Sequence, residues 1–447
     1  MKAVMVDITN DEAYSFHNMK HFWYAEAFCT ANTHWLNSAA IKISIWLKCE
    51  RLWQIRWLSI LSAVGVFAVV FWWIHSLKET FLQVILFSAL LLNPYVLDYF
   101  CIARGYSQGL FLEMLALFFF LNKERRRDFP ALLCAGFSAI ANYSFTYFFI
   151  AFLMIYFSRK YFSDRKFLKS KLFYRDLGFA IFILAAIGRA IRFISDCSND
   201  IVGAGTNDFV TFTHVFTLGL SGERFSFSAP ALNTVSVAIF ALVLLSSFYG
   251  VLRVRKTPVY FFTSIILLVM IALIMVARFI FDTVLPEYRS CLFLFPASAI
   301  CVSYFLFEIL KKGKIILYAI SAALLVNFIL SVKMNSVSDY REYADTRKSL
   351  DLLKELKAEN AGMSPQQYGG FINYYQMTEE LKYNFSGEQL NTYDPKGMSS
   401  KENYLQKFDY IILFPPYNLS YYKNSNVKFE GVQMFKETGT LVLHVRN

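Results

Sequence analysis

Residues 10–18 read Asn10-Asp11-Glu12-Ala13-Tyr14-Ser15-Phe16-His17-Asn18, and the adjacent carboxylates Asp11 and Glu12 are the first feature able to do chemistry. Neighbouring acids tend toward unequal pKa values, so one can act as a general base while the other accepts a structural hydrogen bond. The plainer reading of the pair is an ordinary hydrated loop. A second polar segment, Asn32-Thr33-His34-Trp35-Leu36-Asn37, runs into the apolar stretch 38–47. Farther on, Ala103-Arg104-Gly105-Tyr106 sets a guanidinium beside a glycine. That combination suits a phosphate, through planar donors, fixed charge and close backbone approach. Its plainer reading is a snorkelling arginine paired with Asp98. Arg289 lies in Pro286-Glu287-Tyr288-Arg289, just before another apolar run. Arg189 and Arg192, three apart and so on one helical face, could hold a lipid phosphate or simply meet Asp196.

The elements that must position these residues are set by composition. Of 447 residues, 56% are hydrophobic and only 17% charged, and the mean hydropathy is +0.40. The apolar residues come in runs of the length that crosses about 30 Å of hydrocarbon. Clear runs lie at roughly 57–75, 80–97, 106–121, 177–195, 230–252, 257–279, 290–309 and 315–332. The stretch 129–157 is too long for one span and short for two, and it breaks near Ala141-Asn142-Tyr143-Ser144. Basic residues flank it on both sides, so it should enter the membrane and return as a helical hairpin.

The net charge of +11 comes largely from short loops between apolar runs, where the positive-inside bias places it. No nucleic-acid-binding module accompanies the charge. The basic loops around 123–127, 159–175, 253–256 and 311–314 therefore read as cytoplasmic. The loops around 98–105, 196–229 and 282–289 are richer in acids and read as external, as do residues 1–50 and the tail from about 333. The expectation is an external N-terminal loop (1–50), a transmembrane helical domain (51–332) of about eight spans plus the hairpin, and an external C-terminal domain (333–447). In that tail, Arg347–Glu359 has helical apolar spacing, while 409–414 and 441–445 look like strands of a small α/β domain. The seven cysteines are scattered singly, so neither a disulfide framework nor a zinc site is indicated; one pairing among Cys29, Cys101, Cys197 and Cys291 stays open.

Nothing before residue 50 could carry that segment outward, because Met1–Ile8 lacks the apolar core of a signal peptide. Either a short tail translocates unaided or, on the preferred reading, a first transmembrane helix is missing through a misplaced start or a truncated gene.

The order of these features resembles the GT-C superfamily of polytopic glycosyltransferases, which includes the protein mannosyltransferases and the lipid A aminoarabinose transferases. The matching features are Asp11-Glu12 with the following Tyr14, the His34/Asn37 segment, the Arg104-Gly105-Tyr106 turn, and Arg289 before a late span. They span about residues 8–332. The resemblance implies an all-α GT-C-like bundle in the bacterial cytoplasmic membrane. It also implies transfer of a sugar from a polyprenyl-phosphate carrier to a lipid, glycan or protein acceptor on the outer face, with inversion. Asp11 would be the base, with Glu12 beside it; Arg104, Arg289 and Arg192 would hold the donor phosphate. Tyr14, His34, Asn37 and Tyr106 would orient or contact the acceptor. Paired carboxylates can hold a divalent metal, but no ligand spacing demands one. Two other readings compete: a lipid-linked glycan transporter or assembly protein without transferase chemistry, and a truncated, inactive transferase.

Overall fold

The computed structural model describes residues 2–21, 34–122, 127–197, 205–221, 228–253, 257–310, 313–334, 343–378, 383–390, 405–414, 428–435 and 438–446. The basic runs at 123–126, 254–256 and 311–312, together with Cys29, Asn32, Thr33, Asp200 and Glu223, lie outside them. The chain divides into two compact units. One comprises residues 28–39 and 57–332; the other gathers 1–27, 40–56 and 333–447. The sequence treated 1–50 and the tail as separate segments, whereas the structure groups most of the former with the latter.

The first unit is helical, and each expected apolar run forms helix. Among the described residues, four helical segments are long and apolar enough to cross a membrane: Trp57–His75, Pro230–Arg253, Pro258–Phe281 and Tyr288–Ile309. A fifth span results if Thr80–Leu91 and Pro94–Phe100, bent by 56°, count as one. The bend has a local cause. Pro94 cannot donate a backbone hydrogen bond and pushes Asn93 out of the helical region. Asn93 then caps the second half by accepting from the Val96 N–H at 3.0 Å. Tyr106–Leu121 and Ile315–Ser331 are shorter apolar helices.

The 129–157 stretch falls in two helices that form a hairpin. Helices Asp128–Ala141 and Thr146–Ser163 are joined by one tight turn at Tyr143–Phe145, where Asn142 Oδ1 accepts from the Ser144 N–H at 3.0 Å. Its basic end is pinned by the buried Asp176, which accepts from Tyr156 Oη at 2.7 Å and pairs with Arg175 at 2.7 Å. Helix Phe209–Ser221 falls within a segment read from the sequence as loop. The protein is a multi-pass helical membrane protein with an appended α/β unit.

That second unit contains a five-stranded mixed sheet in the order Ser386–Gln389, Asn360–Met363, Tyr410–Leu413, Leu441–Arg446, Lys428–Met434. The first three strands are parallel and the last two antiparallel to their neighbours. Leu390, Leu405, Phe408, Ile411, Leu413, Leu443 and Val445 form one core beneath it. Helix Thr346–Glu355 contributes the fully buried Leu350 and Leu353. Residues 1–50, read from the sequence as an external loop, contain helices Asn10–His21 and Trp35–Trp46.

Candidate functional site

The acidic pair opens helix Asn10–His21 through a capping box. The Glu12 N–H donates to Thr9 Oγ1 at 3.2 Å, and the Thr9 N–H donates to Glu12 Oε2 at 3.1 Å. Glu12 is fully buried, and Arg56 grips both of its oxygens: Nε donates to Oε1 and Nη2 to Oε2, each at 2.8 Å. The rest of the guanidinium is committed to carbonyls, with Nη1 donating to Ala3 and Val6 and Nη2 to Asp7. A bidentate pair this enclosed holds a fold together, so Glu12 has the geometry of a structural carboxylate. Asp11 is half-buried and Tyr14 exposed on the same helix. Asp7, which the sequence reading passed over, is buried and accepts from the Ile8 N–H at 2.8 Å, the Arg347 N–H at 2.5 Å and Tyr375 Oη. Burial pushes its carboxyl up to about 6, against the lowering effect of those donors. On the next turns, Lys20 Nζ donates to Glu50 at 3.0 Å and to the Met377 carbonyl at 2.8 Å. His17 stands 4.8 Å from His21, ring to ring, and its pKa is lowered by burial and by that neighbour.

In the helical unit, His34, Asn37, Arg104 and Tyr106 come together. Arg104, His34, Asn37 and Tyr106 are all buried. Asn37 Nδ2 donates to the Ala103 carbonyl at 2.7 Å, and the rings of His34 and Tyr106 meet edge-on at 5.7 Å. Tyr106 continues into Tyr99 at 5.0 Å and Tyr95 beyond it at 5.3 Å. Gly105 is required by space: a Cβ there would lie 1.9 Å from the Ala141 carbonyl oxygen and 2.8 Å from His34 Cβ. The turn is thus clamped between the hairpin break and the His34 segment. Arg289 is half-buried in the short helix Tyr288–Leu294. Arg192 is exposed on Lys171–Cys197.

A cavity of about 310 Å³ lies between the helices of this unit. Its lining is almost wholly apolar, from Ile85, Val215, Leu242, Phe295 and Leu324 among others. Two of its lining residues are Cys291, in the same short helix as Arg289, and Asn93, the cap of the helix Pro94–Phe100 that precedes the Arg104 turn. Cys101 and Cys291 are buried and in no disulfide among the described residues, and Cys291 Sγ donates to the Pro286 carbonyl at 3.1 Å.

Glu113 was not singled out in the sequence. It is fully buried in Tyr106–Leu121, and neither carboxylate oxygen accepts a hydrogen bond from a described residue. An acid inside an apolar run was the available signal. Among the described residues no group of three His, Cys, Asp or Glu could hold a metal.

The fold and these clusters define a multi-pass membrane protein that buries arginine and aromatic side chains in the turns joining its helices. No family model matches the chain, and no curated protein matches it. The apo crystal structure of ArnT from Cupriavidus metallidurans is similar to it, with 10% identity over 98% of this chain and 93% of that one and a TM-score of 0.44. At that identity and score the similarity assigns no activity to this chain.

Proposed function

We propose that the chain is a GT-C-type glycosyltransferase that takes its sugar from a polyprenyl-phosphate carrier. The observation that carries the reading lies within the helical unit. An apolar cavity of about 310 Å³ is lined by Cys291, which shares the short helix Tyr288–Leu294 with Arg289, and by Asn93, which caps the helix Pro94–Phe100 leading to the Arg104 turn. An isoprenoid chain needs such a cavity, and its phosphate needs fixed cationic donors close by. In the reaction the bond from the anomeric carbon to the phosphate oxygen breaks and a bond to the acceptor oxygen forms. The acceptor hydroxyl proton passes to a carboxylate. The departing phosphate gathers charge, which Arg104 and Arg289 would stabilise. Asp11 is the candidate base, since Glu12 is spoken for by Arg56. Tyr14, His34, Asn37 and Tyr106 would orient the acceptor, and Arg192 is the least supported phosphate ligand, being exposed.

Membranes carrying the protein should transfer label from a panel of radiolabelled polyprenyl-phosphate sugars. Asp11→Asn and Arg104→Ala should each lower the rate roughly a hundredfold or more at unchanged expression. Transfer at the wild-type rate in Asp11→Asn removes Asp11 from the base role. One observation favours a second reading, a lipid-linked glycan transporter: Glu113 sits near the middle of the helix Tyr106–Leu121, about 10 Å along it from Tyr106, and a transport path carries its charges within spans. Movement of a fluorescent lipid-linked sugar across vesicles without transfer, abolished by Glu113→Gln, would decide for it.

A further inference from the structure

Residues 40–56 of the α/β unit form a hairpin whose two sides differ sharply. The end of helix Trp35–Trp46 folds back through the Leu47 N–H to the Ile43 carbonyl (2.9 Å), the Lys48 N–H to Ile45 (3.0 Å) and the Cys49 N–H to Ser44 (2.8 Å). Lys48 takes the left-handed conformation, φ 55°, which turns the chain. Ser44 Oγ donates to the Gln54 carbonyl at 3.1 Å and closes the hairpin, and Leu52–Ile55 forms its return helix.

One side is locked to the unit. Lys42 Nζ donates to the Met19 carbonyl at 2.6 Å, Tyr374 Oη to the Glu50 carbonyl at 2.7 Å, and Arg56 holds Glu12. The other side is bare: Trp46 is 81% exposed, Leu47 61%, Ile43 46% and Trp53 43%. Lys48 and Arg51 beside them are exposed as well. Four large apolar side chains exposed on one short hairpin mark an interaction surface. Indoles flanked by cations are the side chains that collect in the headgroup layer of a bilayer. Chain connectivity supplies an independent constraint. Trp57 begins a membrane-crossing helix, and Trp53 precedes it by four residues, a reach of at most about 14 Å.

We infer that Trp46, Leu47 and Trp53 seat this hairpin in the phospholipid headgroup layer of the leaflet where the Trp57–His75 helix begins, with Lys48 and Arg51 against lipid phosphates. The hairpin is then a second membrane attachment of the α/β unit. It stands apart from the sugar-transfer reading and does not depend on it.

The test uses the full chain reconstituted in phosphatidylcholine vesicles. The emission of Trp46 is obtained as the difference between wild type and Trp46→Phe, and Val432→Trp, on a strand face of the same unit, reports a solvent-facing indole. Phospholipid brominated near its headgroup should quench the Trp46 emission at least twofold, while aqueous iodide quenches the indole at 432 more strongly. Equal behaviour of positions 46 and 432, or no response of Trp46 to brominated lipid, overturns the inference; a Trp46 screened from both quenchers points to a protein partner and overturns it too.

Discussion

Glu12 and Glu113 are both fully enclosed, one in the α/β unit and one in the helical unit. Glu12 has the N–H of Thr9 and a bidentate guanidinium, whereas Glu113 receives no hydrogen bond from a described residue. A burial cost that is met by fixed partners yields a rigid anchor. The same cost left unmet is retained only where something other than stability selects it, and inside a membrane that is usually function. The difference separates a carboxylate that builds the fold from one that the fold must tolerate.

The largest expected effect falls on the anchored acid. Arg56→Ala leaves Glu12 buried without its cation, at a cost of about 3–5 kcal/mol. Limited proteolysis of the detergent-solubilised chain should then cut within residues 333–446 at temperatures where the wild type resists. Unchanged resistance would erase the contrast between the two glutamates.

Next comes Asp7 in the same knot. Its carboxyl is raised from 3.8 to about 6 in the folded unit, so folding favours the protonated form. That stabilisation is whole below about pH 4 and is lost as the pH rises through about 6, amounting to roughly 3 kcal/mol. The α/β unit should therefore melt at a lower temperature at pH 8 than at pH 5, and Asp7→Asn should flatten that slope. A slope that persists in the variant assigns it to another group.

Glu113→Leu removes an unbonded polar group and should stabilise the helical unit by about 1–3 kcal/mol, read as a raised melting temperature in detergent. A lowered one would mean that Glu113 is held as firmly as Glu12. The smallest change is Thr9→Ala, which deletes half of the capping box and should cost about 1 kcal/mol, seen as a small drop in the melting temperature of the α/β unit.

The helical unit was legible in the sequence because lipid imposes one strong rule, an unbroken apolar run, and a break such as Ala141-Asn142-Tyr143-Ser144 stands out against it. The parallel strands at 360–363 and 386–389 were not legible, since Asn360-Ala361-Gly362-Met363 and Ser386-Gly387-Glu388-Gln389 carry no β-branched pattern and are held by their neighbours. Of the site, the Arg104-Gly105-Tyr106 turn could be read as a unit of close approach. The role of Glu12 could not, because its partner lies 44 residues away and only folding brings a charge pair of that separation together. The local half of its bonding, Thr9-x-x-Glu12, was written in the sequence as a capping box. Asp196, weighed in the sequence as a partner of Arg189 and Arg192, and Cys197, weighed for a cysteine pairing, have no described side chains.

The helical hairpin has a consequence for the lipid around it. The first hairpin helix, Asp128–Ala141, has 14 residues and the second, Thr146–Ser163, has 18, giving lengths of about 21 and 27 Å, while the 24 residues of Pro258–Phe281 extend about 36 Å. Short and long helices in one bundle impose unequal thickness on the bilayer they meet. Acyl chains that shorten to match the brief helix would thin the hydrocarbon on that flank, so a lipid passing beside the hairpin is expected to have less of it to cross than beside Pro258–Phe281.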